Sequence, residues 1–243
     1  MNLGRYLLNI IYPQKNICLL CGQNLLFPEV TGLCSDCLQK IYFVEHYCNV
    51  CGRVIGENNS CEYCQKKDWN FEEARGIAEY RGIMKELILH FKYFNQTELV
   101  EPLGDILSIY FDYYYSNKRI NYIIPVPLHK MKKEIRGYNQ AALLADNLQK
   151  HTKLPVLDNY LIRKKESPPL YDLGWVQRKK VIKGVFDLRE NNINLSGANV
   201  ILIDDIFTSG STVNEASNIL HNKARVNKIY VLTLATYSNI FYD

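Results

Sequence analysis

The run VILIDDIFTSGST, Val200 to Thr212, constrains this 243-residue chain more than any other stretch. Its opening residues are branched and apolar without alternation, so they predict a strand buried on both faces, as in a parallel sheet. Asp204 and Asp205 fall where that strand should end, and Thr208, Ser209, Gly210, Ser211 and Thr212 follow. From Val213 onward the spacing is helical, with Ala216, Ile219 and Leu220 on the same face. A strand, a small-residue loop and a helix start together make an anion site. The first N–H groups of the helix have no partner within it, and its dipole adds positive charge. Gly210 permits close backbone approach and the hydroxyls can donate to phosphate oxygens. Two adjacent carboxylates suit a vicinal diol or a hydrated Mg²⁺. The combination reads as a site for a ribose 5-phosphate. An ordinary strand-to-helix turn is the plainer alternative, and the acid pair argues against it.

All eight cysteines lie near the N-terminus, paired as Cys18/Cys21, Cys34/Cys37, Cys48/Cys51 and Cys61/Cys64. Two thiolates at that spacing can wrap one zinc ion, and two such knuckles complete a tetrahedral shell. Gly22 and Gly52 each follow the second cysteine of a pair, where the knuckle needs a permissive backbone. The pattern predicts a double zinc ribbon with two structural zinc ions. Cys18, Cys21, Cys34 and Cys37 are expected on one ion and the other four on the second; spacing leaves a cross-braced pairing open. Disulfides fit less well, because the chain shows no secretory signal and close pairs favour metal in a reducing compartment. Iron–sulfur ligation fits less well again, since the spacings repeat as ribbons. His46 reads as a packing or surface residue. Four thiolates leave each zinc site with a net negative charge, so the ribbons are expected to scaffold or dock rather than to grip DNA.

Beyond the ribbons the chain alternates strands and helices. Trp69 to Glu73 reads as a linker, followed by a strand through Ala78 and Tyr80. A helix is expected with Ile83, Met84, Leu87, Ile88 and Phe91 on its apolar face, and a second from Leu99 to Tyr115. The aromatics Tyr110, Phe111, Tyr113, Tyr114 and Tyr115 can stack on bases, but at helical spacing they read first as core and its edge. NYIIPVPLHK predicts a strand, Lys130 to Arg136 a basic loop, AALLADNLQK a helix and NKIYVLTLATYS a final buried strand. The class is therefore α/β, a parallel sheet flanked by helices, with its ligand site beyond the strands' carboxyl ends. The expected division is 1–70 for the zinc module and 71–243 for the α/β domain. Residues 118–183 carry fifteen basic and five acidic side chains, whereas residues 1–68 are balanced. That concentration suits a polyanion, either a pyrophosphate-bearing sugar or a nucleic acid. No apolar run is long enough to span a membrane, and a cytoplasmic location is expected.

The 200–212 stretch closely resembles the phosphoribosyl pyrophosphate (PRPP) loop of type I phosphoribosyltransferases. The resemblance implies a fold of that type, with Asp204 and Asp205 holding the ribose hydroxyls and Thr208 to Thr212 cradling the 5′-phosphate. PVPLHKMKKEIRGYNQAALLA, set behind the cysteine module, resembles the ComF family of competence-associated, phosphoribosyltransferase-like proteins. Arg136 and Gly137 then occupy the place of the pyrophosphate loop, with Ile135 where the family has a further arginine. LIRKKESPPLYDLGWVQRKKVIKGVF corresponds to the family's flexible loop and hood. It retains Leu173, Arg178, Gly184 and Phe186, with Leu170 and Val181 in place of a glutamine and an asparagine. Arg178 and Lys179 are its lid candidates, closing on the leaving pyrophosphate. The resemblance implies PRPP with Mg²⁺ as ligand, single-stranded DNA and a competence helicase as partners, and a role in natural transformation. Lys130, Lys132 and Lys133 are the nucleic-acid candidates. The alternative is an active phosphoribosyltransferase, moving ribose 5-phosphate from PRPP to an acceptor not specified by these residues.

Overall fold

The computed structural model describes residues 17–25, 32–56, 61–65, 68–165, 181–190 and 193–237. Two short helices belong to the cysteine module, α1 (Ser35–Gln39) and α2 (Glu62–Gln65). The sheet then begins with β1 (Glu73–Glu79), followed by α3 (Gly82–Tyr93), α4 (Val100–Tyr115) and β2 (Tyr122–Pro125). Next come α5 (Lys130–Arg136), α6 (Gln140–Thr152) and the short strands β3 (Leu161–Arg163) and β4 (Phe186–Leu188). The chain closes with β5 (Asn199–Phe207), α7 (Ser211–Ala224) and β6 (Lys228–Thr236).

The main sheet has the order β1-β6-β5-β2 and every pairing in it is parallel. An isolated parallel bridge from Ile123 to Val156 continues it beyond β2. In β5, Val200, Ile201, Leu202 and Ile203 are fully buried, as the continuous apolar run requires. Their side chains divide between two cores. Ile201 and Ile203 join α3, α4 and α6, while Val200 and Leu202 join α7 and the β3–β4 hairpin. This is the expected parallel sheet flanked by helices.

The cysteine module straddles one edge of that sheet. β1 is an edge strand, and the segment between the two ribbons runs along its open side. Glu79 N–H donates to Tyr42 C=O, Val44 N–H to Ile77 C=O and Ala74 N–H to Val50 C=O. The first ribbon's Cys18, Cys34, Cys37 and Ile41 pack on the α3/α4 face; the second ribbon's Cys48, Cys51, Ile55 and Cys61 pack on the α7 face. The α4 aromatics take the packing role: Tyr110 stacks on Phe43, Tyr114 meets Tyr47 edge-on, and Tyr115 is buried with its hydroxyl donating to Val231 C=O at 2.8 Å.

Three expectations change. β5 runs on through Ile206 and Phe207, paired with Ala235 and Thr236 of β6, so the acid pair lies within the strand rather than at its end. Lys130 to Arg136 is a helix rather than a loop, closed by Gly137 at φ +83° with its N–H on Lys133 C=O. The left-handed residue is what stops it. Trp69 to Glu73 is not a free linker. Phe71 is buried, Trp69 packs on Phe71 and Phe207, and Glu73 already belongs to β1.

Candidate functional site

Parallel strands end together, so their carboxyl ends bring the predicted residues to one side of the sheet. Asp204 and Asp205 sit near the end of β5, and Phe207 C=O accepts from the Thr236 hydroxyl at 3.4 Å, tying that end to β6. Gly210 at φ +72° turns the chain into α7, whose first residue is Ser211. Ser209 and Ser211 are buried, with their hydroxyls 2.9 Å apart and Ser211 N–H donating to Ser209 Oγ. Those two serines hold the loop's shape. Thr208 and Thr212 are partly exposed and present its outer hydroxyls.

The acid pair is electrostatically uneven. Lys92, from the last turn of α3, contacts Asp205 Oδ1 at 2.7 Å. Among the described residues no cation makes such a contact with Asp204; its Oδ1 accepts from Asp205 N–H at 2.9 Å. Burial, then the Asp205 carboxylate beside it, pushes Asp204 up to about 7. Two neighbouring carboxylates and one lysine leave room for a further cation or for hydrogen-bond donors such as hydroxyls. Sequence reading missed Lys92. The available signal was a cation beside an apolar helical stripe, one position past Phe91, on a helix leading away from the β1 carboxyl end.

The RGYNQ run acts as a bracket. Asn139 caps α6 by accepting from Ala141 N–H and donates its amide to Val126 C=O at 3.0 Å. Tyr138 Oη and Gln140 Nε2 both donate to Phe91 C=O, one of the end carbonyls of α3. Arg136 is thereby brought over the Tyr93 ring, 5.3 Å from its centroid, with Nη1 donating to Gln140 Oε1. Arg136 and Gly137 therefore stand beside the helix end whose Lys92 holds Asp205. On α5, Lys130 and Lys133 are exposed and Lys132 is partly exposed. Arg178 and Lys179 lie outside the described residues.

The eight cysteines form two clusters, Cys18/Cys21/Cys34/Cys37 and Cys48/Cys51/Cys61/Cys64, with all sulfurs in each within 4.8 Å of one another. Sulfur–sulfur distances are 3.8 Å for Cys18–Cys37, 3.7 Å for Cys21–Cys34, 3.5 Å for Cys48–Cys64 and 3.6 Å for Cys51–Cys61. A tetrahedron of sulfurs about 2.3 Å from zinc has edges of roughly 3.8 Å, whereas a disulfide needs about 2.0 Å. These are two four-cysteine zinc sites, paired in sequence order rather than cross-braced. Four thiolates on each ion leave no open position, so both are structural.

The family described as "Double zinc ribbon domain" matches residues 7–65. The chain is 32% identical to Competence protein F of Haemophilus influenzae, the match covering 90% of this chain and 96% of that one. It is 28% identical to Competence protein ComFC of Bacillus subtilis, over 90% of this chain and 95% of that one. Among solved structures, adenine phosphoribosyltransferase of Saccharomyces cerevisiae matches 73% of this chain and 98% of its own, at 15% identity and a TM-score of 0.38. Among the described residues, no helix is long and apolar enough to cross a membrane.

Metal analysis of the purified chain is expected to return about two zinc ions; one or none would refute the paired sites. A pH prediction follows from Asp204, which holds its proton more tightly in the folded chain (about 7) than at its ordinary value of 3.8. Stability contributed there falls as pH rises through that window, because the folded state binds the extra proton. Asp204→Asn is expected to remove that fall, so the variant gains on the wild type as pH rises from 3.8 to about 7 and the two converge at the acid end. Parallel urea midpoints for the two proteins across that range would contradict it.

Proposed function

Because the chain belongs to the ComF family of competence proteins, we propose that it binds PRPP or a related phosphoribosyl ligand and handles single-stranded DNA during transformation. The observation that carries the ligand reading is the acid pair in the last rungs of the β5 ladder, two residues ahead of the small-residue loop that opens α7. In this reading Thr208 to Thr212, with the backbone N–H groups of Thr212 and Val213 in the first turn of α7, take the 5′-phosphate. Asp204 and Asp205 take the ribose hydroxyls, Arg136 and Gly137 face the pyrophosphate, and Arg178 and Lys179 close over it. Oxygen-only donors such as this acid pair suit Mg²⁺, which when bound with PRPP would supply charge neutralisation to the pyrophosphate. Lys92 would exchange its hold on Asp205 as the ligand enters. In the same proposal, residues 1–70 form the zinc module, 71–243 form the ligand-binding domain, and the protein works in the cytoplasm beside a competence helicase.

The DNA reading is supported by the surface next to this site. Tyr93 and Phe94 are 68% and 65% exposed, unusual for large aromatic side chains, and Arg136 lies over Tyr93. The α5 lysines stand on the helix that ends at Arg136. Aromatic faces beside cations are the elements that hold single strands, through base stacking and phosphate contacts.

Calorimetry with Mg²⁺ present is expected to register PRPP binding by the wild type and none by the Asp204→Ala/Asp205→Ala double variant; equal affinity for both would remove the ligand assignment. Fluorescence anisotropy with a labelled oligonucleotide is expected to give salt-sensitive binding. Lys132→Glu/Lys133→Glu and Tyr93→Ala should each weaken it, the latter by roughly 1–3 kcal/mol if a base stacks there. An absence of binding at low salt would end the DNA reading.

A further inference from the structure

The second zinc site and the phosphate loop are packed into one unit, through residues that neither motif contains. Arg53 follows the Cys51–Gly52 knuckle, is 3% exposed, and donates from its guanidinium to the Thr208 carbonyl. The guanidinium lies over the Tyr63 ring, 4.0 Å from the centroid, and Tyr63 stands between the zinc-binding Cys61 and Cys64. Trp69 donates its indole N–H to Cys64 Sγ at 3.3 Å, and its ring centroid is 6.0 Å from that of Phe207. The same ring walls the loop. A Cβ on Gly210 would come within 2.8 Å of Trp69 and 2.5 Å of Phe207. Next to it, Asn70 N–H donates to Asn214 Oδ1 at 2.7 Å, and Asn214 N–H donates to Gly210 C=O at 2.9 Å.

We propose that Arg53 and Trp69 are positioning residues for the phosphate loop, and that zinc at the second site governs the loop's order and its affinity for phosphate-bearing ligands. The peptide unit is planar and trans, so pinning the Thr208 oxygen toward Arg53 aims the Ser209 N–H the opposite way. Losing Arg53 therefore frees both the direction of a backbone donor and a half-enclosed carbonyl. A thiolate on zinc accepts the indole hydrogen bond more strongly than a thiol does, and outer-shell donors of this kind orient metal ligands. Release of that zinc weakens the Trp69 anchor and loosens the wall against Gly210. The first zinc site packs with α3 and α4 on the opposite face of the sheet, so its effect on the loop is smaller. The ligand half of this proposal rests on the phosphoribosyl reading; the coupling half does not.

The test is amide hydrogen exchange over residues 207–214 in the full chain without ligand, with zinc content measured on the same samples. Arg53→Gln is expected to keep both zinc ions while loop exchange quickens about tenfold or more, as loss of a charged hydrogen bond implies. Exchange in β6 should stay unchanged. Trp69→Phe keeps an aromatic ring but loses the N–H, and should surrender the second zinc to a chelator faster than wild type does. Unchanged loop exchange in a zinc-replete Arg53→Gln protein overturns the proposal, as does equal quickening by Cys21→Ser at the first site. If Arg53→Gln loses metal, Trp69→Phe decides: an unaltered rate of zinc release overturns it. PRPP titration of the same proteins separates the two readings. A wild type that binds no PRPP sinks the phosphoribosyl assignment, while the exchange data still judge the coupling.

Discussion

The open edge of β1 is the constraint on which the rest of this structure depends. A parallel sheet leaves a row of unpaired backbone groups on its outer strands, and exposed edges invite pairing with other chains. Here the segment from Tyr42 to Val50 covers that edge with its own backbone, at Glu79, Ile77 and Ala74. Covering an edge from the middle of the module throws one ribbon onto each face of the sheet. The zinc sites thus serve the sheet as well as themselves. Each is a small, metal-closed body that needs little apolar area of its own, yet fills a face the helices leave open.

The second consequence falls on the ligand side. Gly52, at φ +67°, lies so close to β1 that a Cβ would be 2.3 Å from the Ala74 carbonyl oxygen. That approach sets the second knuckle hard against the strand and delivers Arg53 to the loop after β5. On the other face, α3 starts from the same strand and ends with Lys92 against Asp205. The site is therefore served from both sides of the sheet, by a lysine on Asp205 and by an arginine on the Thr208 carbonyl of the loop. A charged group half out of water needs such partners, and Asp204, with its elevated proton affinity, is the member left with least compensation.

Much of this was legible in the chain itself, for physical reasons that differ by region. Near-continuous apolar runs, Val200–Ile203 and Ile229–Leu232, identify β5 and β6 because burial on both faces leaves no room for a polar alternation. The cysteine pairs identify the zinc sites because two thiolates two residues apart can reach one ion. The helix at Lys130–Arg136 escaped because it is short, exposed and bounded by features that usually mark loops; its stop signal, Gly137, was visible. The reading of Trp69–Glu73 as a linker failed because aromatic residues in a short connection carry no period. Only their neighbours in space, Phe207 and Gly210, reveal that they are wall rather than spacer.

Local sequence thus determined the elements, the metal ligands and the loop that follows the acid pair, since each depends on residues close together along the chain. Tertiary structure decided the pairing of the knuckles, the partner of Asp205 and the support of Thr208. Lys92 lies 113 residues from Asp205, and Arg53 lies 155 residues from Thr208. Contacts at that separation leave no period or spacing to read, because they arise only when the parallel strands end on a common side and the zinc module closes over their edge.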